Sequence, residues 1–400
     1  MTARGRLVLA LGVFVYVVAW IFGSRPLYPV AIGLMLAVLL AWTWVGLTNR
    51  PLRVRRVLPE QDVLEGEDVR IDVEIEPTAA LPPPSVTCVD RLGPRGEREL
   101  ELRRRGRALV GAYELREAPR GRYAFGAARL ALEDPFGLYR VEQAQGDPGA
   151  LLVYPRLVQL DRLFAEGGAH QQDGRRLLLR RPSGFDLHSV REYAEGESLR
   201  KVHWPTTARR GQLMVKELED APRDEVAIVL DGEAAAVVGG SFDLQVRAAG
   251  SLLWAYVRRG RRCVLAVSSA LREVQQVHSD AGEWRRALEL LASVEPTGHV
   301  PLDAFLASES NAAARALELL VVTARPTPAL ADRLVQRVLS RHGASLVHVD
   351  AGSFAGGPPA PQPALLRLQS AGVPVAVLRQ GDDLAAALSA PPVMEAAAHG

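Results

Sequence analysis

The densest group of side chains able to do chemistry lies in residues 191–220, REYAEGESLRKVHWPTTARRGQLMVKELED. Arg200, Arg209 and Arg210 carry forked guanidinium donors suited to phosphate or carboxylate, so binding of an anionic polymer or lipid is one chemistry on offer. His203, beside Trp204, titrates near neutrality and could serve as a general base. The opposing account is structural. At this density of mixed charge the arginines can pair with Glu192, Glu195, Glu197, Glu217 and Glu219, and a histidine in a short helix is usually packed. No other catalytic set stands out in the chain: there is no phosphate loop, no Gly-x-Ser-x-Gly elbow and no His-Glu-x-x-His. Gly239-Gly240-Ser241 lacks the lysine that a nucleotide loop needs, and the eight histidines are scattered.

Local sequence sets how these groups are held. Glu197-Ser198 offers a helix start, Trp204-Pro205 biases Trp204 towards extended backbone, and Gly211 can supply the left-handed residue that ends a second short turn of helix. Two short helical turns are expected to present Arg200, Trp204, Arg209 and Arg210, with Trp204 in a core and Arg209 partly bridged. After Gly211 the alternation Leu213, Val215, Glu217 suits a strand that buries Leu213 and Val215 and turns Lys216 away.

Four regions surround or carry this stretch: 1–50, 51–155, 156–220 and 221–400. Residues 7–23 and 27–47 are apolar runs of 17 and 21 residues. As helices they would measure roughly 26 and 32 Å against a hydrocarbon core of about 30 Å. Only Ser24, Arg25 and Pro26 separate them, so they form a hairpin whose ends emerge on one side. Arg4 and Arg6 precede the first run, and Arg50, Arg53, Arg55 and Arg56 follow the second, which places both flanks in the cytoplasm. A second apolar run so close behind the first, with no small-residue cleavage pattern, argues against a signal peptide.

From 52 to 155 the period changes to two, as in Val69, Ile71, Val73 and Ile75 against Arg70, Asp72, Glu74 and Glu76. Short strands at 85–89, 99–102, 108–115, 121–132 and 151–154 follow between Gly and Pro turns, and their spacing predicts a small β-sandwich. Asp134-Pro135-Phe136-Gly137 reads as a turn with a buried aromatic. Residues 155–182 have no clear period and are expected to be a linker with one short helix near 158–164. Beyond 220, strands at 226–231, 262–268, 317–323, 345–350 and 373–378 alternate with helices at 242–259, 283–294, 303–315, 329–342, 363–370 and 382–388. The pattern predicts a parallel sheet of about five strands, covered on both faces, in a Rossmann-like α/β domain.

Composition narrows the function classes. A net charge of +2 over 400 residues argues against a dedicated nucleic-acid binder. Cys88 and Cys263, far apart and in different expected domains, offer neither a disulfide framework nor a cysteine-based zinc site, which fits a reducing cytosolic setting.

The order Arg191, Tyr193, Gly196, Glu197, Arg200, Trp204, Ala208-Arg209 and Lys216 resembles the signature of the domain-of-unknown-function 58 family, bacterial membrane-linked proteins often called YeaD-type. Arg120-Gly121-Arg122-Tyr123, then Asp134-Pro135-Phe136-Gly137-Leu138, and the apolar hairpin resemble it too, so the likeness covers nearly the whole chain. Two positions depart from the pattern: Glu197 stands where aspartate is usual, and His203 where aspartate commonly precedes the tryptophan.

The resemblance implies that 221–400 is a von Willebrand factor A-like domain. In that fold a divalent cation is held at the carboxyl edge of the sheet by an Asp-x-Ser-x-Ser motif, a threonine and a second aspartate. Here the motif reads Asp231-Gly232-Glu233-Ala234-Ala235; no hydroxyl is found in 298–302, and Ala324 sits near the place of the second aspartate. Asp231 and Glu233 alone would make a weak metal site, since hard cations need several oxygen ligands. The family's usual setting implies MoxR-type AAA+ ATPases and membrane transglutaminase-like proteins as partners. The expected function is thus a membrane-anchored, non-enzymatic interaction or assembly protein with no cofactor. A metal-dependent hydrolase centred on Asp231, Glu233 and His203 is the rival, and a binder of anionic polymer or lipid the third reading.

Overall fold

The computed structural model describes residues 1–78, 85–92, 96–165, 187–192, 204–218, 225–278, 280–308, 312–357 and 362–390. It divides into two compact units, Met1–Tyr154 and Pro155–Gly400.

The first unit opens with helices α1 (Ala3–Phe22) and α2 (Leu27–Thr48), each long and apolar enough to cross a membrane. Gly23, at φ +63°, ends α1 and lets the chain reverse within a few residues. The helices meet through small residues. Ala19, Ala31 and Ala41 are buried between them, while Phe14, Trp20, Ile32 and Leu40 point outwards. Tyr16 and Tyr28 add an edge-to-face pair, with centroids 5.5 Å apart.

Eleven strands follow among the described residues: β1 (Leu52–Val57), β2 (Val63–Leu64), β3 (Val69–Pro77), β4 (Ser85–Arg91), β5 (Glu97–Leu100), β6 (Arg103–Arg105), β7 (Ala108–Leu115), β8 (Gly121–Phe125), β9 (Ala128–Glu133), β10 (Arg140–Gln145) and β11 (Gly149–Tyr154). They pair in the orders β1-β3-β7-β6, β10-β9-β4-β5 and β2-β11-β8. Inward residues of all three sheets share one core, including Ile71 and Val73 from β3, Leu130 and Leu132 from β9, and Tyr123 and Val153 from β8 and β11. The expected single strand over 121–132 is two strands, because the chain leaves one sheet at Phe125 and enters another at Ala128.

Two expectations for this unit are corrected. Arg56 is not a free membrane-flanking charge: its side chain is 7% exposed and lies against the fully buried Asp90. The β1 alternation turns Arg53 and Arg55 to solvent, and Arg56 reaches into the sandwich, donating to Asp90 and to the carbonyls of Gly126 and Asp147. Phe136, expected in the core, is 77% exposed, whereas Asp134 beside it is buried. The turn is held by the carboxylate, which accepts from the backbone N–H groups of Phe136 and Tyr139 at 2.9 and 2.5 Å, so the aromatic ring is left outside.

In the second unit, β12 (Leu187–Glu192) pairs antiparallel with β13 (Met214–Leu218), and helix α3 (Trp204–Arg210) lies between them in sequence. Next come β14 (Glu225–Leu230), α4 (Ser241–Arg258), β15 (Arg262–Val267), β16 (Val274–Val277), α5 (Ala281–Ser293), α6 (Leu302–Ala307), α7 (Ala312–Arg315) and β17 (Glu318–Thr323). Helix α8 (Pro328–Leu339), β18 (Gly343–Val349), α9 (Pro363–Ser370), β19 (Val375–Leu378) and α10 (Leu384–Ser389) complete it. The sheet order is β16-β15-β14-β17-β18-β19. Five strands are parallel, and β16 runs antiparallel on the edge. This sixth strand escapes sequence reading because Val274–Val277 is short and half polar. The expected helix over 303–315 is represented by the separate α6 and α7.

Helices cover both sheet faces. Residues of α4, α5 and α10 pack with Ile228, Leu230, Leu265 and Val322; residues of α6, α7, α8 and α9 pack with Ala227, Val229, Leu319 and Leu346. Both parities of β14 are therefore buried, which is why its sequence is a continuous apolar run. Residues 158–164 form no helix. Without regular secondary structure, and with a bend at 161–162, they lie along the first of these faces, burying Leu160, Leu163 and Phe164, with Val158 donating to Ser251 Oγ and Phe164 to the Leu388 carbonyl.

Candidate functional site

In an open α/β sheet, ligands are held beyond the carboxyl ends of the strands, where the chain's winding reverses. Here that point is β14, since β15 and β16 lie to one side and β17, β18 and β19 to the other. Asp231 follows β14 directly. Ser268 follows β15, Thr323 ends β17, and His348 in β18 is in register with Thr323. By strand alternation all four fall on the Ala227 and Val229 side, forming a polar row across four neighbouring strands.

The row is closed on itself. Asp231 Oδ2 accepts from Thr323 Oγ1 at 2.6 Å, while Oδ1 accepts from Ser268 Oγ at 3.2 Å and from the Glu233 backbone N–H at 3.1 Å. Thr323 Oγ1 in turn accepts from the Arg325 N–H at 2.9 Å, and Ser268 Oγ from the Gly232 N–H at 2.9 Å. Asp231 is 2% exposed, Ser268 2% and Thr323 0%. Burial raises the Asp231 carboxyl above its ordinary range, and the bonds from Thr323, Glu233 and Ser268, with the nearby Arg325 charge, pull back against that rise. Burial lowers the basicity of His348, whose ring bonds the Thr323 backbone and whose Nδ1 meets no partner among the described residues.

The neighbouring carboxylates at this edge are also taken. Glu233 pairs with Arg325 at 2.8 Å, and Asp350 with Arg379 at 3.6 Å. The loop around Gly298 does reach the Asp231 loop: Gly298 N–H donates to the Gly232 carbonyl at 2.7 Å and its own carbonyl accepts from Ala234. A Cβ at Gly298 would lie 2.8 Å from Gly232 O and overlap Ser268 O, so the loops close only over glycine. The loop's hydroxyl, Thr297, accepts from Ala270 rather than facing Asp231.

These residues do not fit a divalent cation. The carboxylate that would lead the ligand set is buried with both oxygens engaged, Glu233 is held by a guanidinium, and Ala235 and Ala324 bring no side-chain donor. Among the described residues no three His, Cys, Asp or Glu side chains come together as a metal site. Nor does the row form a nucleophilic set, since His348 touches the Thr323 backbone and the Thr323 hydroxyl is already spent on Asp231 and Arg325. What it does is join the ends of adjacent strands. Sequence reading found Asp231 and missed Ser268, Thr323 and His348. The available signal was a polar residue at or near the end of each apolar run.

The 191–220 stretch is described in part. Arg191 lies in β12 opposite Val215, and Lys216 in β13 opposite Val190. Trp204 opens α3 instead of preceding it in extended form, with Pro205 in the first turn, where a missing N–H costs nothing. Ala208, Arg209 and Arg210 are exposed, and Gly211, at φ +69°, ends the helix as its sequence predicts. Thr207 Oγ1 accepts from the Met214 N–H at 3.0 Å and fixes the return. Met214 is buried, while Leu213, expected to be buried, is 40% exposed. Tyr193, Gly196, Glu197, Arg200 and His203 lie outside the described residues.

Residues 189–343, from β12 to the start of β18, match the family described as "Protein of unknown function DUF58". That segment of the chain carries the DUF58 match. "Uncharacterized protein YeaD" of Bacillus subtilis (strain 168) is 25% identical over 228 residues, so the chain spans about half the length of this relative, 55% of each. Among solved structures, a GH20 exo β-N-acetylglucosaminidase from Vibrio harveyi aligns over 83% of this chain and 82% of its own, at 10% identity and TM-score 0.18. Cwp6 from Clostridium difficile aligns over 81% and 49%, at 11% identity and TM-score 0.16. At those scores neither likeness bears on the fold or activity of this chain.

Proposed function

We propose that this chain is a membrane-anchored, non-enzymatic interaction or assembly protein, with its soluble domains on the cytoplasmic side and a MoxR-type AAA+ ATPase as its working partner. The observation that carries the reading is the state of Asp231: at the point where α/β sheets hold ligands, the carboxylate is consumed by Thr323, Ser268 and the Glu233 backbone. The strand order, with β14 central and one antiparallel edge strand, supports a von Willebrand factor A-like domain whose ion site has become a structural tie. Anchoring is supported by the two apolar helices, and orientation by Arg4, Arg6, Arg50, Arg53 and Arg55, all exposed, against Arg25 alone in the connecting turn. The exposed Ala208, Arg209 and Arg210 offer a basic face to an acidic partner surface.

The test uses the full chain in detergent or vesicles, mixed with the MoxR-type ATPase of the same organism. Binding and a change in ATP turnover are expected, weakened by Arg209→Glu with Arg210→Glu and retained in a folded Asp231→Asn variant. A hydrolytic activity of the chain alone that disappears in Asp231→Asn would refute the non-enzymatic reading, and absence of binding would refute the partnership.

A further inference from the structure

The turn 134–138 lies against the apolar hairpin of the same unit. Thr2, which caps α1, donates its hydroxyl to the carbonyls of Gly137 at 2.6 Å and Leu138 at 3.0 Å, and its backbone N–H reaches the Leu138 carbonyl at 3.1 Å. A Cβ at Gly5 would overlap Leu138 O, so the helix lets the turn approach because a glycine faces it. Leu138, 7% exposed, packs with Val8 and Leu9 of α1 and with Val38 and Ala41 of α2. At ~1.5 Å per residue, Val8 is about 8 Å along α1 from its start and Ala41 about 10 Å from the end of α2. The apolar runs begin at Leu7 and end at Leu47, so Val8 lies about 1.5 Å inside the first and Ala41 about 9 Å inside the second, which sets Leu138 at the edge of the acyl region.

Backbone at that depth must satisfy its own polar groups. This turn does so for most of them. The N–H groups of Phe136 and Tyr139 donate to the Asp134 carboxylate and that of Gly137 to the Asp134 carbonyl, Pro135 has no N–H, and Thr2 covers the carbonyls of Gly137 and Leu138. The ring of Phe136, 77% exposed, then projects from a turn in which, among the described residues, only the Leu138 N–H and the carbonyls of Pro135 and Phe136 meet no bond. Arg4 is exposed in the first turn of α1 beside it, its Nη1 3.7 Å and the Glu133 Oε1 3.2 Å from the Cβ position at Gly137.

We infer that the turn 134–138 is a lipid-immersed wedge, with Phe136 seated among acyl chains just beneath the headgroups of the leaflet from which the soluble chain emerges. The inference rests on the hairpin spanning a membrane. It gives the sandwich a second hold on the bilayer besides the α2 connection, and so fixes its orientation there. The partner is the acyl region of the bilayer itself, continuous with the lipid-facing surface of α1 and α2.

The test is nitroxide accessibility in the full chain, reconstituted in phosphatidylcholine and phosphatidylglycerol vesicles. One variant is Phe136→Cys, whose side chain takes no part in the hydrogen bonds of the turn; the other is Leu36→Cys, an exposed position near the middle of α2. Cys88 and Cys263 are buried, so labelling goes to the introduced thiol, and the parent chain gives the background. At position 136, oxygen collisions should exceed those with a water-soluble nickel chelate, with a depth shallower than at 36. A nickel-accessible label at 136 beside an oxygen-rich label at 36 would overturn the wedge and leave the spanning hairpin intact. A nickel-accessible label at 36 would overturn the spanning hairpin and the wedge with it.

Discussion

Removing the Asp231 carboxylate separates a strand tie from a working site. In Asp231→Ala the hydroxyls of Thr323 and Ser268 and the Glu233 N–H lose an ionised acceptor, in surroundings that are almost wholly buried. Hydrogen bonds to a charged group are worth about 1.5–3 kcal/mol each, but relief of a desolvated carboxylate offsets part of that loss, so a net cost of about 3 kcal/mol is expected. For a unit of this size such a change lowers Tm by roughly 6–12 °C. Asp231→Asn, which keeps the shape, should cost less and also reports the charge. Burial raises the Asp231 carboxyl above its ordinary range, so its contribution to stability is greatest below the unfolded value near 3.9 and declines as pH rises through the folded value. The parent's stability relative to Asp231→Asn should therefore shrink between about pH 4 and neutrality. The assay is chemical unfolding of the full chain in detergent across that range, with and without Mg²⁺. An Asp231→Ala protein that melts with the parent would refute the strand tie, and a Mg²⁺-dependent rise in the parent's Tm that Asp231→Ala abolishes would show that a cation site had been misread as closed.

Two further buried groups, Arg56 with Asp90 and His348, give outcomes of the same kind. Arg56→Ala leaves the fully buried Asp90 carboxylate with the Tyr113 hydroxyl and the Arg91 N–H, and should destabilise the first unit by about 3–5 kcal/mol, while Arg53→Ala and Arg55→Ala should stay within about 0.5 kcal/mol. Equal losses at all three positions in thermal unfolding would refute the assignment. His348 is held neutral by burial, so as pH falls below about 6.5 the unfolded chain takes up a proton that the native ring resists, and stability should drop. That acid slope should be absent in His348→Asn; an unchanged slope in the variant would place its origin elsewhere.

Periodicity in the sequence determined most of the elements, because burial on one face or two leaves a direct trace. Val69, Ile71, Val73 and Ile75 alternate and are buried in β3, and the continuous apolar run of β14 is covered on both faces. The two apolar helices and the Gly211 stop follow equally from local rules: length, composition and the one backbone region that glycine enters freely. Such rules say nothing about partners distant in the chain. That Arg56 would turn inward depended on Asp90, 34 residues on, and that Asp231 would be satisfied depended on Ser268 and Thr323, 37 and 92 residues on. Phe136 is the sharpest case. Hydrophobicity alone predicts burial, yet the Asp134 carboxylate claims the inside of the turn, and Thr2, 135 residues earlier, ties it to α1 with the ring outside. Sequence fixes a residue's preference for water or oil, but which neighbours satisfy it is decided only when distant strands and helices bring their polar atoms within 3 Å of one another, a distance over which a hydrogen bond forms or is lost.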